Sequence, residues 1–370
     1  MNGKQTAEEL VYAAAESIKP VDESFRGICR EHWNSLCKPV GGFGALEEMI
    51  SRIGAIQRTE HPKISKAAVV IMGADNGVAA EGVSQCGSEV TRQVLRNMAE
   101  KKSSVCIMSK FRQADVIPVD IGMNEPAFSP GEEIKGDGVL ERPVRRGTGD
   151  IAKGPAMSRE EAVSAIRTGI DLAWLLKEKG YQILVPGEMG IGNTTTSTTC
   201  LCALFGLDPA EVTGPGAGLS GEGVRHKTAV IRRALEVNFP GGKGSSDIPD
   251  ILSKVGGLDI AGMTGLFLGA ASSGMPAVVD GFITALSAYM ATCMSGHARE
   301  YMIQSHGSSE PGGRILMEAL GFDPYLHLGM HLGEGTGAAL MLPLLDEALY
   351  VYENLPSFGD SGIEAYKPLV

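Results

Sequence analysis

The chain has 370 residues, 43% hydrophobic and 21% charged, which is ordinary for a globular protein and enough for one large domain with an appendage or for two domains. The formal net charge of −11 argues against a nucleic-acid-binding surface, because such surfaces cluster Lys and Arg. The 49 glycines fall largely at the ends of apolar runs, which is typical of active sites built from loops.

The cysteines and histidines show neither a disulfide pattern nor a metal-binding pattern. The 7 cysteines contain no Cys-x-x-Cys pair, and the histidines show no His-Glu-x-x-His spacing. We therefore expect no metal, no cofactor and a reducing, cytoplasmic compartment.

The first 19 residues predict an amphipathic helix with acids on one face, so they do not resemble a signal peptide. Helical patterns continue to about residue 65 and return beyond Pro311. We expect these two ends, 1–65 and 311–370, to form a small helical domain beside a large α/β domain that spans residues 66–310.

Four short apolar runs predict buried parallel strands. They lie at residues 67–72, 116–119, 182–185 and 277–279. Helical patterns between them, such as 158–179 and 227–237, predict an α/β sheet that binds ligands at the carboxyl ends of its strands. Residues 123–146, rich in Gly, Pro and charge, predict a long surface loop or flap.

The third apolar run leads into a glycine-rich turn before a helix, which is typical of an anion-binding cup. The turn lacks both the P-loop ending and the dinucleotide Gly-x-Gly-x-x-Gly pattern, so a small phosphate ester is favoured over ATP or NAD. Glu188 would repel a phosphate, so we expect it to bind sugar hydroxyls rather than to cap the helix. The turn comprises Gly187, Glu188, Met189, Gly190, Ile191, Gly192, Asn193, Thr194 and Thr195.

Two charged residues further along could also contact a ligand. Lys227, at a predicted helix start, either pairs with phosphate or is solvated. Asp280 follows the last strand directly, where it could serve as a catalytic or ribose-binding acid or as a structural cap.

The stretch 260–279 carries no charge and is long enough to cross a bilayer. Its many small residues, Pro276, and the flanking Asp259 and Asp280 favour a helix and strand inside an α/β core instead.

A second glycine loop, Gly333-Glu334-Gly335-Thr336-Gly337, precedes a helical run at 338–349. Glu334 either caps this helix or acts as a general base. We expect the helix dipole to favour its ionised form, as a base at neutral pH requires.

Together these segments resemble the nicotinate-nucleotide:dimethylbenzimidazole phosphoribosyltransferases, which activate the lower-ligand base of cobamides. The resemblance covers nearly the whole chain and keeps the family's motif order. Besides the two glycine loops, it includes Lys38-Pro39, Ala74-Asp75-Asn76-Gly77-Val78, Gly154-Pro155-Ala156-Met157-Ser158-Arg159, Leu252-Ser253-Lys254-Val255-Gly256-Gly257 and Asp280-Gly281-Phe282.

The resemblance implies a Rossmann-like, mostly parallel sheet, a dimer, and transfer of phosphoribose from nicotinate mononucleotide to an aromatic acceptor with inversion to an α-ribotide. It implies that Glu334 is the catalytic base, that Lys227 contacts phosphate, and that Glu188 with the turn after it binds the nucleotide. We add Asp280 and Gly333 to the nucleotide site.

The chain departs from the family pattern at the acceptor pocket. Cys86 and Val94 stand where the family places a serine and a glutamine, Met189 replaces a leucine, and His331, before Leu332, stands where an arginine is frequent. A less polar pocket disfavours an acceptor with a second ring nitrogen, so this departure favours a phenol such as p-cresol over the dimethylbenzimidazole-like base that the resemblance implies. Both acceptors stay open. Family members with phenolic acceptors pair two related chains, so a heterodimer is an alternative to a homodimer.

Two other functions compete with this interpretation. A non-catalytic partner subunit would keep the fold but release no nicotinate, and the presence of Glu334, Glu188 and Lys227 argues against it. A phosphoribosyltransferase that uses pyrophosphorylated ribose would need two adjacent acids after a strand, whereas Asp280-Gly281-Phe282 has one.

Overall fold

The computed structural model describes residues 5–130, 132, 134, 136–242 and 244–365, and within them six strands form one parallel sheet. The strand order is β3-β2-β1-β4-β5-β6. The strands are β1 Ala67–Ala74, β2 Asp115–Gly122, β3 Leu140–Glu141, β4 Ile183–Met189, β5 Ala277–Val279 and β6 Met302–Gln304. The order reverses between the neighbours β1 and β4, which opens a crevice at their carboxyl ends.

Fifteen α-helices cover the sheet in the described part of the chain, together with 3-10 helices at Gly77–Glu81 and Ala298–Tyr301. They are α1 Ala7–Ser17, α2 Glu23–Ser35, α3 Ala45–Gln57, α4 Glu89–Ala99, α5 Ser104–Arg112, α6 Arg159–Glu178, α7 Asn193–Phe205, α8 Pro209–Val212, α9 Gly221–Asn238, α10 Ile248–Val255, α11 Leu258–Ser272, α12 Phe282–Met294, α13 Pro311–Leu320, α14 Thr336–Asn354 and α15 Phe358–Ser361.

Both faces of the sheet are covered, as the central strand β1 shows. Ala68, Val70 and Met72 join a core with α6 and α11, while the alternate residues Val69 and Ile71 join a second core with α3 and α14. All eight residues of β1 are buried. A strand buried on both faces reads as a continuous apolar run, which is why the sequence pattern located it.

The predicted α/β class and parallel sheet are confirmed. The four predicted strands all exist, although β1, β2 and β4 run two to four residues further towards the site than their apolar runs suggest. The sequence analysis missed β3 and β6. Both are very short, and β3 lies in a polar stretch, so neither produces a strand-length apolar run.

The predicted helix at 158–179 is confirmed as α6, which begins after a capping box formed by Ser158 and Glu161. The helix expected at 227–237 starts six residues earlier, at Gly221, because the Ser220 side chain accepts a hydrogen bond from the Gly223 backbone amide. Lys227 therefore lies inside α9 and not at its start.

Both ends of the chain contribute helices to both faces of the sheet. Helix α1 contacts α6 and α11. Arg159 forms ion pairs with Glu8 of α1 and with Asp247. Helices α2, α3 and α14 pack together on the other face. Residues 1–4 and 366–370 lie outside the described residues, and the division into two domains stays a prediction.

The expected flap at 123–146 is irregular apart from β3 in its described residues. It is partly anchored, because Met123, Ala127 and Phe128 are buried and the Arg96 guanidinium lies over the Phe128 ring. Arg146 at its end pairs with the buried Asp120.

The charge-free stretch 260–279 forms most of α11 and the strand β5 in the core, as predicted. Helix α11 packs against α6 through glycines at close backbone contact. In the described part of the chain, no helix combines the length and apolar character needed to cross a membrane.

Replacing Gly265 with alanine is expected to destabilise the fold by about 1–3 kcal/mol, because the added β-carbon would lie 1.9 Å from the Ile166 carbonyl oxygen. The matched control is Gly27→Ala in α2, where no atom lies within 4 Å of the added carbon, so stability should rise by about 0.5–1 kcal/mol. Denaturant unfolding of both variants tests this prediction, and a Gly265→Ala protein as stable as wild type would contradict the backbone contact.

Candidate active site

The two glycine loops predicted separately lie against each other at the carboxyl end of β4. Gly333 has a φ of +83°, and a β-carbon there would lie 2.6 Å from Oε1 of Glu188. The Glu334 backbone amide donates to the same oxygen at 3.3 Å. Glycine at 333 thus allows the Glu188 carboxyl to approach the loop before α14.

A cavity of about 310 Å³ opens beside these loops and contains most of the predicted site residues. Its size suits a small-molecule ligand. The predicted residues that line it are Cys86, Val94, Glu188, Met189, Gly190, Ile191, Asn193, Thr194, Asp280, His331, Leu332, Gly333 and Glu334.

Gly192 and Lys227 are the two predicted site residues that do not line the cavity. Gly192 caps α7 with a φ of +92°. Lys227 is completely buried behind the wall, where its Nζ donates to Thr194 Oγ1 at 2.8 Å and to the Gly214 carbonyl at 3.4 Å. Thr194 itself lines the cavity, so an anion bound beside it would lie close to the Lys227 ammonium.

The environment of Lys227 favours an anionic ligand nearby. Burial lowers the pKa of Lys227 to about 8, an effect that Glu310 partly offsets. The alternative that Lys227 is solvated is wrong, since its ammonium is out of water. A phosphate beside Thr194 would supply the compensating charge that the buried ammonium lacks.

The turn at 187–195 has the predicted sequence of strand, glycines and helix start, but three of its amides are already occupied. Ile191 N donates to Thr91 Oγ1 at 3.1 Å, Asn193 N to the Gly190 carbonyl at 3.1 Å, and Thr195 N to the Gly192 carbonyl at 2.9 Å. The turn therefore offers a phosphate fewer free backbone amides than an anion-binding turn whose amides are all unpaired. The Thr194 hydroxyl has to supplement these amides.

Asp280 caps a helix distant in sequence. Its Oδ1 accepts a hydrogen bond from Ala338 N in the first turn of α14 at 2.8 Å, and His306 Nδ1 lies 3.8 Å away. Asp280 therefore acts as a structural cap, as one of the two alternatives predicted, and it also lines the cavity.

Glu334 does not cap α14, so that alternative is wrong. The N-cap is Gly335, without a side-chain cap, and Glu334 has a left-handed φ of +59°. The expectation that the helix dipole lowers its pKa is also wrong, because burial and then the nearby Asp280 raise the pKa of Glu334. A carboxylate with a raised pKa is a stronger base once it is ionised.

Acids outnumber cations around the cavity. Within the described ranges, neither Lys nor Arg forms an ion pair with Glu188, Asp280 or Glu334. Burial, followed by the neighbouring Asp259, raises the pKa of Glu188 to about 8. Among the described residues no group of three or more His, Cys, Asp and Glu side chains could hold a metal ion.

One wall of the cavity is apolar and matches the predicted acceptor pocket. Cys86, Val90 and Val94 come from α4 and the segment before it, and they share the cavity with Met189 and Ile191. His331 and Leu332 lie exposed at the rim, where Leu332 retains 56% of its exposure. An aromatic ring fits such a wall through burial of its apolar surface.

The sequence analysis missed the loop Gly214-Pro215-Gly216-Ala217, whose glycine cluster was the available signal. Gly216 and Ala217 line the cavity, and a β-carbon on Gly216 would lie 2.9 Å from Thr194 Oγ1 and 3.4 Å from Lys227 Nζ. Glu310 Oε1 accepts from Gly216 N at 2.8 Å and fixes the loop. This loop encloses the Thr194 side of the site.

A second cavity of about 570 Å³ lies at the opposite, amino end of β4. Lysines, an arginine and hydroxyls line it, and α3 and α11 end beside it. Helix C-termini attract cations, which accounts for this positive charge without a ligand. The chemistry of the glycine loops belongs to the smaller cavity.

The fold and the site define a phosphoribosyltransferase of the α/β class, since the family described as "Phosphoribosyltransferase" matches residues 18–363. The chain belongs to the nicotinate-nucleotide–dimethylbenzimidazole phosphoribosyltransferase family, whose members are glycosyltransferases of the pentosyltransferase type.

Relatives and solved structures support this assignment. The chain is 43% identical to the nicotinate-nucleotide–dimethylbenzimidazole phosphoribosyltransferase of Ruminiclostridium cellulolyticum, covering 96% of this chain and 98% of that one. It is 41% identical to the enzyme of the same name from Acetivibrio thermocellus, covering 96% and 99%. The crystal structure of CobT from Thermus thermophilus matches with a TM-score of 0.84 and 36% identity, covering 93% of this chain and all of that one.

Proposed function

We propose that this chain transfers phosphoribose from nicotinate mononucleotide to an aromatic lower-ligand acceptor, giving an α-ribotide and nicotinate for cobamide biosynthesis. The observation that carries the proposal is the position of Glu334, which lines the same cavity as the Gly190 turn and the apolar wall. The names of the relatives support the same reaction.

In the proposed reaction the acceptor attacks C1′ of the nucleotide as the bond from C1′ to the pyridinium nitrogen breaks. Nicotinate leaves with the bonding electrons, and the attacking acceptor loses a proton to Glu334. The raised pKa of Glu334 makes its ionised carboxyl a stronger base than an ordinary glutamate. The pyridinium is already a good leaving group, so this scheme needs neither a metal nor a cofactor.

We assign the nucleotide to the polar side of the cavity. Its phosphate would lie at Thr194, next to the buried ammonium of Lys227. Its ribose would lie at Glu188, where the carboxyl can exchange hydrogen bonds with hydroxyls. Gly190, Asn193, Asp280 and Gly333 complete this side, and Asp280 also holds the start of α14 in place.

The acceptor would occupy the apolar side. A dimethylbenzimidazole-like base agrees with the names of the relatives. A phenol or p-cresol is the second candidate, because Cys86 and Val94 leave little to pair with a second ring nitrogen. A non-catalytic partner subunit, a homodimer, a heterodimer with a related chain and a cytoplasmic location stay predictions.

Incubation of the purified chain with nicotinate mononucleotide and either dimethylbenzimidazole or p-cresol tests the proposal. We expect nicotinate release and a new α-ribotide with at least one acceptor, both measured by chromatography. Binding of the nucleotide without nicotinate release, with every acceptor, would instead indicate the non-catalytic subunit.

The substitution Val94→Gln adds hydrogen-bonding capacity to the apolar wall. We expect kcat/KM for dimethylbenzimidazole to rise relative to that for p-cresol by about tenfold, the value of one neutral hydrogen bond. Gln93→Ala, which changes the exposed neighbour on the same helix, is the control and should leave the ratio unchanged. A ratio that is the same in Val94→Gln and wild type would remove Val94 from the acceptor pocket.

A further inference from the structure

Three buried polar side chains meet beneath the Gly190 turn. Glu188 ends β4, Asn193 begins α7 and Asp259 lies in the first turn of α11. The Asn193 side-chain amide donates to Glu188 Oε2 and, at 3.2 Å, to Asp259 Oδ2. One amide group therefore bridges two carboxyl groups, which we call the carboxyl pair.

Asp259 lies directly behind the turn and does not line the cavity. A β-carbon on Gly190 would lie 2.9 Å from Asp259 Oδ2 and 2.5 Å from the Ala74 carbonyl oxygen. Asp259 is completely buried, and its Oδ1 accepts from Ile260 N at 3.0 Å. Any influence of Asp259 on a ligand must pass through Asn193 and Glu188.

The carboxyl pair has no cation to neutralise it. In the part of the chain that the structure describes, neither member forms an ion pair with Lys, Arg or His. The titratable groups that face the pair are Glu334 from the loop before α14, which adds negative charge, and Cys200 from α7. Two ionised carboxylates at this depth would repel each other with little solvent screening.

The pKa directions agree with this geometry. Burial, and next the charge of Asp259, raises the pKa of Glu188, and burial raises the pKa of Asp259. The amide of Asn193 opposes both shifts, but it has to serve both groups. Interacting carboxyls of this kind lose their protons in two separate steps that belong to the pair.

We propose that Glu188 and Asp259 share one proton in the working enzyme, so that the pair together carries one negative charge. Asp259 is then a positioning residue, because it acts on the nucleotide only through Glu188. The inference rests on the proposed role of Glu188 in holding the nucleotide sugar. When the shared proton is lost at higher pH, a second negative charge lies beside an anionic nucleotide, and binding weakens.

Calorimetric titration of the whole chain with nicotinate mononucleotide, from about pH 6 to pH 9, tests this inference. For wild type we expect affinity to fall at least about tenfold across the upper step, with net proton uptake on binding in that range. In Asp259→Asn the second charge of the pair cannot form, so the alkaline fall should be clearly smaller than in wild type. The part that remains comes from Lys227, whose buried ammonium is present in both proteins. The shape of the profile is the readout, so a lower affinity at every pH does not obscure it.

Glu222→Gln, an exposed change on α9, is the matched control and should keep the wild-type profile. Parallel profiles for wild type and Asp259→Asn would overturn the shared proton. Both proteins bind the same nucleotide. The pH dependence that comes from its phosphate is therefore the same in both profiles and does not affect their comparison.

Infrared spectroscopy of the ligand-free protein provides a second test, which does not depend on nucleotide binding. We expect a protonated-carboxyl band at neutral pH that shifts or weakens in both Asp259→Asn and Glu188→Gln and is unchanged in Glu334→Gln. If this band is present but the nucleotide does not bind, the shared proton stands and the proposed function fails. If transfer occurs but both carboxyls are ionised at neutral pH, the function stands and the shared proton is wrong.

Discussion

Replacement of Glu334 with glutamine is expected to lower kcat by about 10²–10⁴-fold, the range that a positioned general base contributes. The nucleotide should still bind with nearly wild-type affinity, because the Glu334 contact to Glu188 uses its backbone amide and not its carboxyl. Single-turnover nicotinate release gives the rate, and equilibrium titration with nicotinate mononucleotide gives the affinity. In wild type, kcat should also rise with pH through the raised pKa of Glu334, because the base works only when ionised.

Glu347→Gln provides the control, since it removes an exposed carboxyl from the same helix, α14. Its kcat should equal that of wild type. Normal turnover in Glu334→Gln would show that another group takes the proton. A large loss of nucleotide affinity with unchanged kcat would move Glu334 into the binding role.

Lys227→Met is expected to raise the Kd for nicotinate mononucleotide by about 10–100-fold while changing kcat much less. Methionine keeps most of the buried stem but removes the ammonium that donates to Thr194. Hydrogen bonds to charged groups contribute about 1.5–3 kcal/mol, which corresponds to this range of affinity. Wild-type affinity should weaken as pH rises through about 8, where the ammonium of the free protein loses its proton.

The matched control is Arg225→Met, which removes one positive charge from an exposed position two residues earlier in α9. A general electrostatic effect would weaken binding equally in both variants, whereas a phosphate contact would weaken it in Lys227→Met alone. An unchanged Kd in Lys227→Met, with normal stability, would remove Lys227 from the phosphate site.

Much of the frame of the site could be predicted from local sequence. Strand β1 is buried on both faces and reads as an uninterrupted apolar run, and β4 leads directly into its glycine turn. Parallel strands bring their following loops to one edge, so the glycine turn after β4 and Asp280 after β5 could be expected near each other. The loop 333–337 follows no strand, so its position beside them could not be predicted in this way. The cavity contains all three.

The electrostatics of the site could not be predicted in the same way, because they depend on partners remote in sequence. Asp259 faces Glu188 from a different helix, and Asp280 faces both Glu334 and the start of α14. For Glu334, the local sequence shows only the dipole of the helix that follows it, α14. Burial and a second carboxylate outweigh that dipole, so its pKa moves in the opposite direction.

The burial of Lys227 illustrates the same limit. Its position in the sequence suggested a helix start, where lysines are usually solvated, but the helix begins six residues earlier and turns this side chain inward. The enclosing loop at 214–217 comes from yet another segment. The role that we propose for Lys227 depends on how α9, the turn at Thr194 and the loop at 214–217 pack together, and the residue type alone does not reveal it.

A crystal structure of Glu334→Gln with nicotinate mononucleotide tests the central claim most directly, because the variant should bind the nucleotide without consuming it. We expect the phosphate beside Thr194 and Lys227, the ribose at Glu188, and C1′ facing residue 334 across the space next to the apolar wall. A nucleotide bound with its anomeric carbon turned away from residue 334, or bound in another cavity, would contradict the account.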